Sequence, residues 1–221
     1  MATKKSTTKN STAKNSTEGP KRRYSSQLRE RHALQTREQV LAAAAELFEE
    51  SGWAGTTVAA IAERAGVAVE TIYSGFGSKK HLLRAVLDFA VVGDAEPVPL
   101  VEREVFATLA TGNLDERLTA GLEMLIDIQE RVAKLWRTAM EAAASDAEID
   151  GWRSQWDEGR RIDTRRSLEL ILRCELDDVM LDLLWGILSH EVYGMLVLDR
   201  GLDRAQYAER MRTAVTALAP A

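Results

Sequence analysis

Between Gly52 and Leu82 the chain reads GWAGTTVAAIAERAGVAVETIYSGFGSKKHL. Thr57 stands just before Val58, Ile61, Ala62 and Ala65, which share one helical face, and a threonine hydroxyl there can cap the helix start. Gly66 can take the left-handed conformation that ends such a helix. A further helix is expected after Val67, and another from Ser78 that turns Leu82, Leu83, Val86 and Phe89 inward. Two short helices joined by a tight glycine-containing turn form a helix-turn-helix, expected here over Thr57–Phe76.

Upstream, Thr36-Arg37-Glu38-Gln39 fits a capping box, so the first helix is expected to begin at Thr36. Val40, Ala44, Leu47, Phe48 and Ser51 fall on its inner stripe, and Ser51-Gly52 closes it. Downstream, the turn-rich segment Gly93–Pro99 marks a boundary. Helical patterns then cover about 100–110, 115–144, 147–173, 177–199 and 204–218. With Ala, Leu, Glu and Arg dominant and only 4 Pro, the fold class is all-α. The expected organisation is a disordered basic arm (1–35), a helix-turn-helix domain (36–93) and a larger helical domain (94–221).

A net charge of −5 alone argues against nucleic acid, but its distribution does not. Residues 1–35 carry nine Lys or Arg against two acidic side chains, whereas residues from 91 onward carry 15 basic and 25 acidic ones. A basic arm on an acidic body suits DNA binding, and Lys21, Arg22 and Arg23 are candidate arm contacts to phosphates or the minor groove. One cysteine, Cys174, excludes an internal disulfide framework and reads as a small buried hydrophobe. Three scattered histidines (His32, His81, His190) argue against a metal site, and no cofactor is expected. The first thirty residues hold no apolar stretch like a signal peptide, and Asp182, His190 and Glu191 interrupt the apolar run Val179–Leu198. A cytoplasmic protein without a membrane span is therefore expected.

The string Gly52-x4-Thr57-Val58-x2-Ile61-Ala62-x2-Ala65-Gly66-Val67-x3-Thr71-Ile72-Tyr73-x2-Phe76-x-Ser78-Lys79-x2-Leu82 resembles the TetR family of bacterial regulators. The resemblance covers about a quarter of the chain. It implies a helical carboxy-terminal domain that dimerises and binds a small-molecule effector. It also implies that Tyr73 bonds a DNA phosphate, an assignment that suits an amphipathic ring. Lys79 sits at a helix start, where the helix dipole disfavours a cation, and a phosphate lying there would remove the conflict. Thr57 would cap its helix and can also donate to phosphate.

Val69, Glu70, Thr71 and Ser74 occupy the family's base-reading positions. None is an Arg, Lys, Asn or Gln, the side chains that read guanine or adenine bidentately. Ala68 stands where the family often has a capping serine, and Gly75 where it often has His or an aromatic residue. Affinity is therefore expected to lean on phosphates and the arm more than on bases.

By the same resemblance, helices at about 177–199 and 204–218 form the homodimer interface. Gly186 and Gly194, eight apart, would let helices approach closely, with Leu183, Ile187, Val197 and Leu198 as apolar area. Met124, Trp136, Met140, Trp152, Trp156, His190 and Tyr193 are candidates for an effector pocket, against the plainer reading that each is core. Adjacent His190 and Glu191 diverge on a helix and cannot readily serve one atom as an acid/base pair. No nucleophile with a base, phosphate loop or metal spacing supports an enzyme. The expectation is a DNA-binding repressor of a palindromic operator. The alternative is a constitutive or architectural DNA-binding protein without an effector.

Overall fold

The structure, a computed structural model, describes residues 20–94, 98 and 100–219. The described residues form helices and turns without a strand. The chain divides into a unit ending at Gln35 and a compact unit from Thr36 to Ala221. The helices are α1 (Pro20–Gly55), α2 (Val58–Ala65), α3 (Val69–Phe76), α4 (Lys79–Val92) and α5 (Glu104–Ala107), followed by α6 (Leu114–Ala143) and α7 (Ala147–Leu172). α8 (Asp178–Ile187), α9 (His190–Tyr193) and α10 (Arg204–Leu218) complete the set. Single turns at Leu100–Glu102 and Thr108–Ala110 flank α5, and a wide π-turn at Gly194–Asp199 follows α9.

The first helix departs from expectation. It begins at Pro20, so Thr36 lies inside a helix and forms no capping box. Proline suits a first helical turn, and Lys, Arg, Gln, Leu and Glu after it favour propagation once a helix is nucleated. Lys21, Arg22 and Arg23 fall on this first turn, and residues 1–19 of the expected arm lie outside the described residues. Ser51 is exposed and leaves the inner stripe, whereas Val40, Ala44, Leu47 and Phe48 are buried.

Gly52 breaks α1 with φ +66°, and a Cβ there would stand 2.8 Å from the Glu141 carboxylate. Both the backbone angle and the close approach call for glycine. Glu141 of α6 accepts from the Trp53 N–H at 3.1 Å and the Ala54 N–H at 3.4 Å, meeting donors freed by the break. Buried Thr56 then donates to the Leu47 and Gly52 carbonyls at 2.9 and 2.8 Å, closing the last turns.

Gly93, at φ +93°, ends α4 where the boundary was expected, but the apolar core does not stop there. One cluster joins Phe48 of α1, Ile61 of α2, Ile72 of α3 and Leu83 of α4 to Leu135 of α6 and Trp152 of α7. A second cluster gathers α6, α7 and α10 around Leu109, Leu184 and Tyr207. The expected segment 100–110 is three short turns, and the expected helix 177–199 breaks at Leu188–Ser189. There the Ser189 side chain caps α9, and buried Gln129 of α6 donates to the Leu188 carbonyl at 3.1 Å. Gly194 is therefore not on the face of Gly186. It packs against the Arg137 guanidinium, whereas Gly186 faces open space.

Replacing Thr56 by Val keeps the shape and strips two carbonyls of their donor. We expect a loss of about 1–3 kcal/mol, read as a lower urea midpoint at unchanged slope.

Candidate functional site

Local chemistry builds α2 and α3 as expected. The Thr57 hydroxyl accepts from the Ala60 N–H at 3.1 Å, and Val58, Ile61 and Ala62 are buried. Gly66, at φ +68°, donates back to the Ala62 and Glu63 carbonyls. Ala68 precedes α3 without a side-chain cap, as its missing hydroxyl requires. Ile72 is 1% exposed and fixes the roll of α3. Glu70, Thr71, Tyr73 and Ser74 thereby face solvent, Tyr73 being 51% exposed, while Val69 is half-buried against the core. The Ser74 hydroxyl donates to the Thr71 carbonyl at 3.0 Å. Open space surrounds Gly75.

Lys79 opens α4 behind its cap Ser78. Its ammonium donates to the Trp53 carbonyl and lies 4.1 Å from the Trp53 ring centroid. Trp53 in turn stacks on Phe48. Partial burial lowers the lysine pKa, and Glu141 opposes that shift. A carbonyl and an aromatic face thus offset the helix-dipole conflict even without a phosphate. The sequence reading missed Trp53 and Glu141 because their partners lie 26 and 88 residues away.

A cavity of about 310 Å³ lies among α4, α6, α7, Leu188, His190 and α10. Of the seven effector candidates, Met124, Trp136, Trp156 and His190 line it. Met140, Trp152 and Tyr193 do not. Met140 packs on the first core cluster, Trp152 is buried within it, and Tyr193 stacks edge-on against Tyr207. Leu87, Asp88 and Val91 bring α4 into the wall, a contribution that a boundary at residue 93 had concealed.

An aromatic path leaves the cavity. Trp136 meets Trp156 at 5.9 Å between centroids, Trp156 meets Trp152 at 6.2 Å, and Trp152 meets His81 of α4 at 5.3 Å. The His81 ring lies 2.7 Å from the Ser78 hydroxyl, and Lys80 pairs with Asp146 and Glu148 at the start of α7. The Glu191 carboxylate accepts from the Trp136 indole at 2.7 Å, so it is committed to a structural bond. His190 and Glu191 do not form an acid/base pair. Among the described residues no group of three or more His, Cys, Asp or Glu could hold a metal ion.

Residues 40–86 match the family model of the bacterial regulatory proteins of the tetR family. The segment that holds α2, α3 and the start of α4 is thus similar to that family. No curated protein matches significantly in sequence. Among solved structures, a TetR transcription regulator from Haloarcula marismortui aligns at TM-score 0.61 and 19% identity, covering 84% of this chain and 96% of that one. A transcriptional regulator of the TerR/AcrR family from Aquifex aeolicus aligns at TM-score 0.60 and 18% identity, with 83% and 99% covered. The multidrug binding protein EbrR, solved with imidazole, aligns at TM-score 0.51 and 19% identity, with 84% and 95% covered. The TetR-type fold therefore extends over the carboxy-terminal helices, although the sequence match ends at residue 86.

Burial first, and Arg160 second, push the His190 pKa down to about 4, against the opposing pull of Glu191. As pH falls from about 6.5 toward 4, the unfolded chain takes up a proton that the folded one refuses. Stability should fall by about 1 kcal/mol per pH unit in that window and show no His190 contribution above it. Urea titrations should find this slope in the parent and a flatter one in His190→Gln.

Proposed function

We propose that this TetR-type regulator is a repressor that binds a palindromic operator as a homodimer and answers to a small-molecule effector. The observation that carries the reading is the α3 surface. Buried Ile72 presents Glu70, Thr71, Tyr73 and Ser74 to solvent within the family-matched segment, close in sequence to Lys79. Tyr73 and the remaining donors of Lys79 suit phosphate, and Thr57 can add a hydroxyl. Val69 or Thr71 would meet a thymine methyl, and Glu70 would accept from cytosine. Lys21, Arg22 and Arg23 supply further phosphate contacts. A DNA-bound regulator of this kind works in the cytoplasm.

A homodimer is supported by Val179, Leu183 and Gly186, an i, i+4, i+7 stripe on α8. Val179 is 73% and Leu183 49% exposed, and Met195 of the π-turn is 53% exposed. Single exposed apolar residues are ordinary, but such a stripe calls for a cover. The run Asp178–Asp199 is also long and apolar enough to cross a membrane. Its opposite face, with Leu181, Leu184 and Leu188, is packed into the protein core, and the run is broken at Ser189, which favours a second copy over lipid. Effector control is supported by the cavity whose wall includes α4, and by a structural neighbour that binds drugs. The absence of long polar side chains at the base-reading positions favours the second reading, a constitutive binder with little sequence preference.

Gel-shift titrations over a salt series test the reading. Tyr73→Phe should weaken binding by up to about tenfold on all sequences alike, through one lost phosphate bond. Lys79→Met and removal of residues 1–24 should each also flatten the dependence of log affinity on log salt. Leu183→Glu should leave a monomer by sedimentation, with specific binding lost. Parent-like affinity and salt dependence in all four would contradict the proposal.

A further inference from the structure

The cavity is not uniformly apolar in its demands. Leu118, Leu122, Leu125 and Ile128 of α6 line one wall. Trp156, Arg160 and His190 line another, and each holds a buried nitrogen without a hydrogen-bond partner: indole Nε1, guanidinium Nε and imidazole Nδ1. Trp156 and Arg160 are one helical turn apart on α7, so they share a face. His190 and Trp156 both pack on Trp136, at 5.6 and 5.9 Å between centroids, which gathers the three at one end of the cavity. The nitrogens are shielded from water, so solvent does not satisfy them. A buried donor left unmet is costly, and two such donors beside the unpartnered His190 nitrogen call for a partner.

The chemistry of those atoms restricts the partner. The indole N–H and the guanidinium Nε–H only donate, so they need an acceptor. Arg160 is already committed elsewhere. One terminal nitrogen donates to the Trp185 carbonyl at 2.9 Å, another lies 3.9 Å from the Asp157 carboxylate, and Glu191 acts on it electrostatically. Asp88 and Asp163 add two more carboxyls to the cavity lining. Arg84 and Arg37 act on Asp88, and Arg166 lies 3.8 Å from Asp163, so the charges around the cavity are already matched. A ligand carboxylate would enter without a free cation, and an ammonium would offer the donors no lone pair.

We propose that the cavity takes an uncharged amphipathic molecule, a ketone, ester or amide oxygen accepting from Trp156 and Arg160 and an aliphatic chain lying along the α6 leucines. Those nitrogens are closed to solvent, so the oxygen reaches them only with a rotation of the Trp156 and Arg160 side chains. The proposal rests on the effector reading above and narrows its ligand class.

Calorimetric titration of the full chain with 2-nonanone, nonanoate and nonylammonium at pH 7 tests it without DNA. The ketone should bind at least about tenfold more tightly than either ion, and Trp156→Phe and Arg160→Lys should each weaken it about tenfold. Trp156→Phe keeps the ring shape and Arg160→Lys keeps the charge, and circular dichroism checks that both fold. Equal or tighter binding of either ion, undiminished ketone affinity in either variant, or no binding of any probe would overturn the proposal. A ketone that binds as stated yet leaves the DNA complex unchanged would instead overturn effector control alone.

Discussion

The two-sided burial of α4 constrains the rest of the molecule. Leu82, Leu83 and Val86 are wholly buried and Leu87 nearly so, in a core that also takes in Phe48, Ile72, Leu135 and Trp136. Each such side chain contributes about 1.5–3 kcal/mol through burial. Together they outweigh the single hydrogen bonds at the α1 and α2 ends. α4 therefore cannot shift without repacking both α2 and α3 and the long helices behind them. Its first residue is Lys79, and Leu87, Asp88 and Val91 near its end form part of the cavity wall. A rigid helix rising about 1.5 Å per residue links these features over roughly 18 Å.

A second connection runs beside it. The rings of Trp136, Trp156, Trp152 and His81 lead from the cavity to the cap of α4, and the Lys80 pairs with Asp146 and Glu148 fasten the same end. Exposed ion pairs contribute little by themselves, so the packed rings carry most of this contact. A ligand that parts Trp156 from its neighbours would press on both routes. Coupling requires only that the ligand prefer one arrangement of these packed elements over another.

The helix-turn-helix was legible because its determinants are local. The Thr57 cap, the glycine turn at Gly66 and the helix start at Ser78 act within four residues of themselves, and each appears as the sequence implied. The long carboxy-terminal helices were legible from their apolar period, to within a residue or two at most ends. What failed depended on partners distant in sequence. Thr36 offers a cap that α1 does not need, because the helix already begins at Pro20. The break at Ser189 is held by Gln129, sixty residues upstream. Trp152 and Tyr193 were sorted into the cavity by residue type, yet His81 and Tyr207 claim their rings. Arg160, the most informative cavity residue, was passed over because nothing in its local sequence sets it apart from the other arginines of α7.

In the proposed regulator, a twofold pair of α3 helices that read bases weakly would find its DNA through phosphate contacts and half-site spacing as much as through base contacts. Selection of bound duplexes from a random library tests it most directly. The account predicts enrichment of a palindrome with half-sites about one helical turn apart and only a few constrained base pairs in each. A single unpaired site, or no enrichment above the starting library, would contradict it.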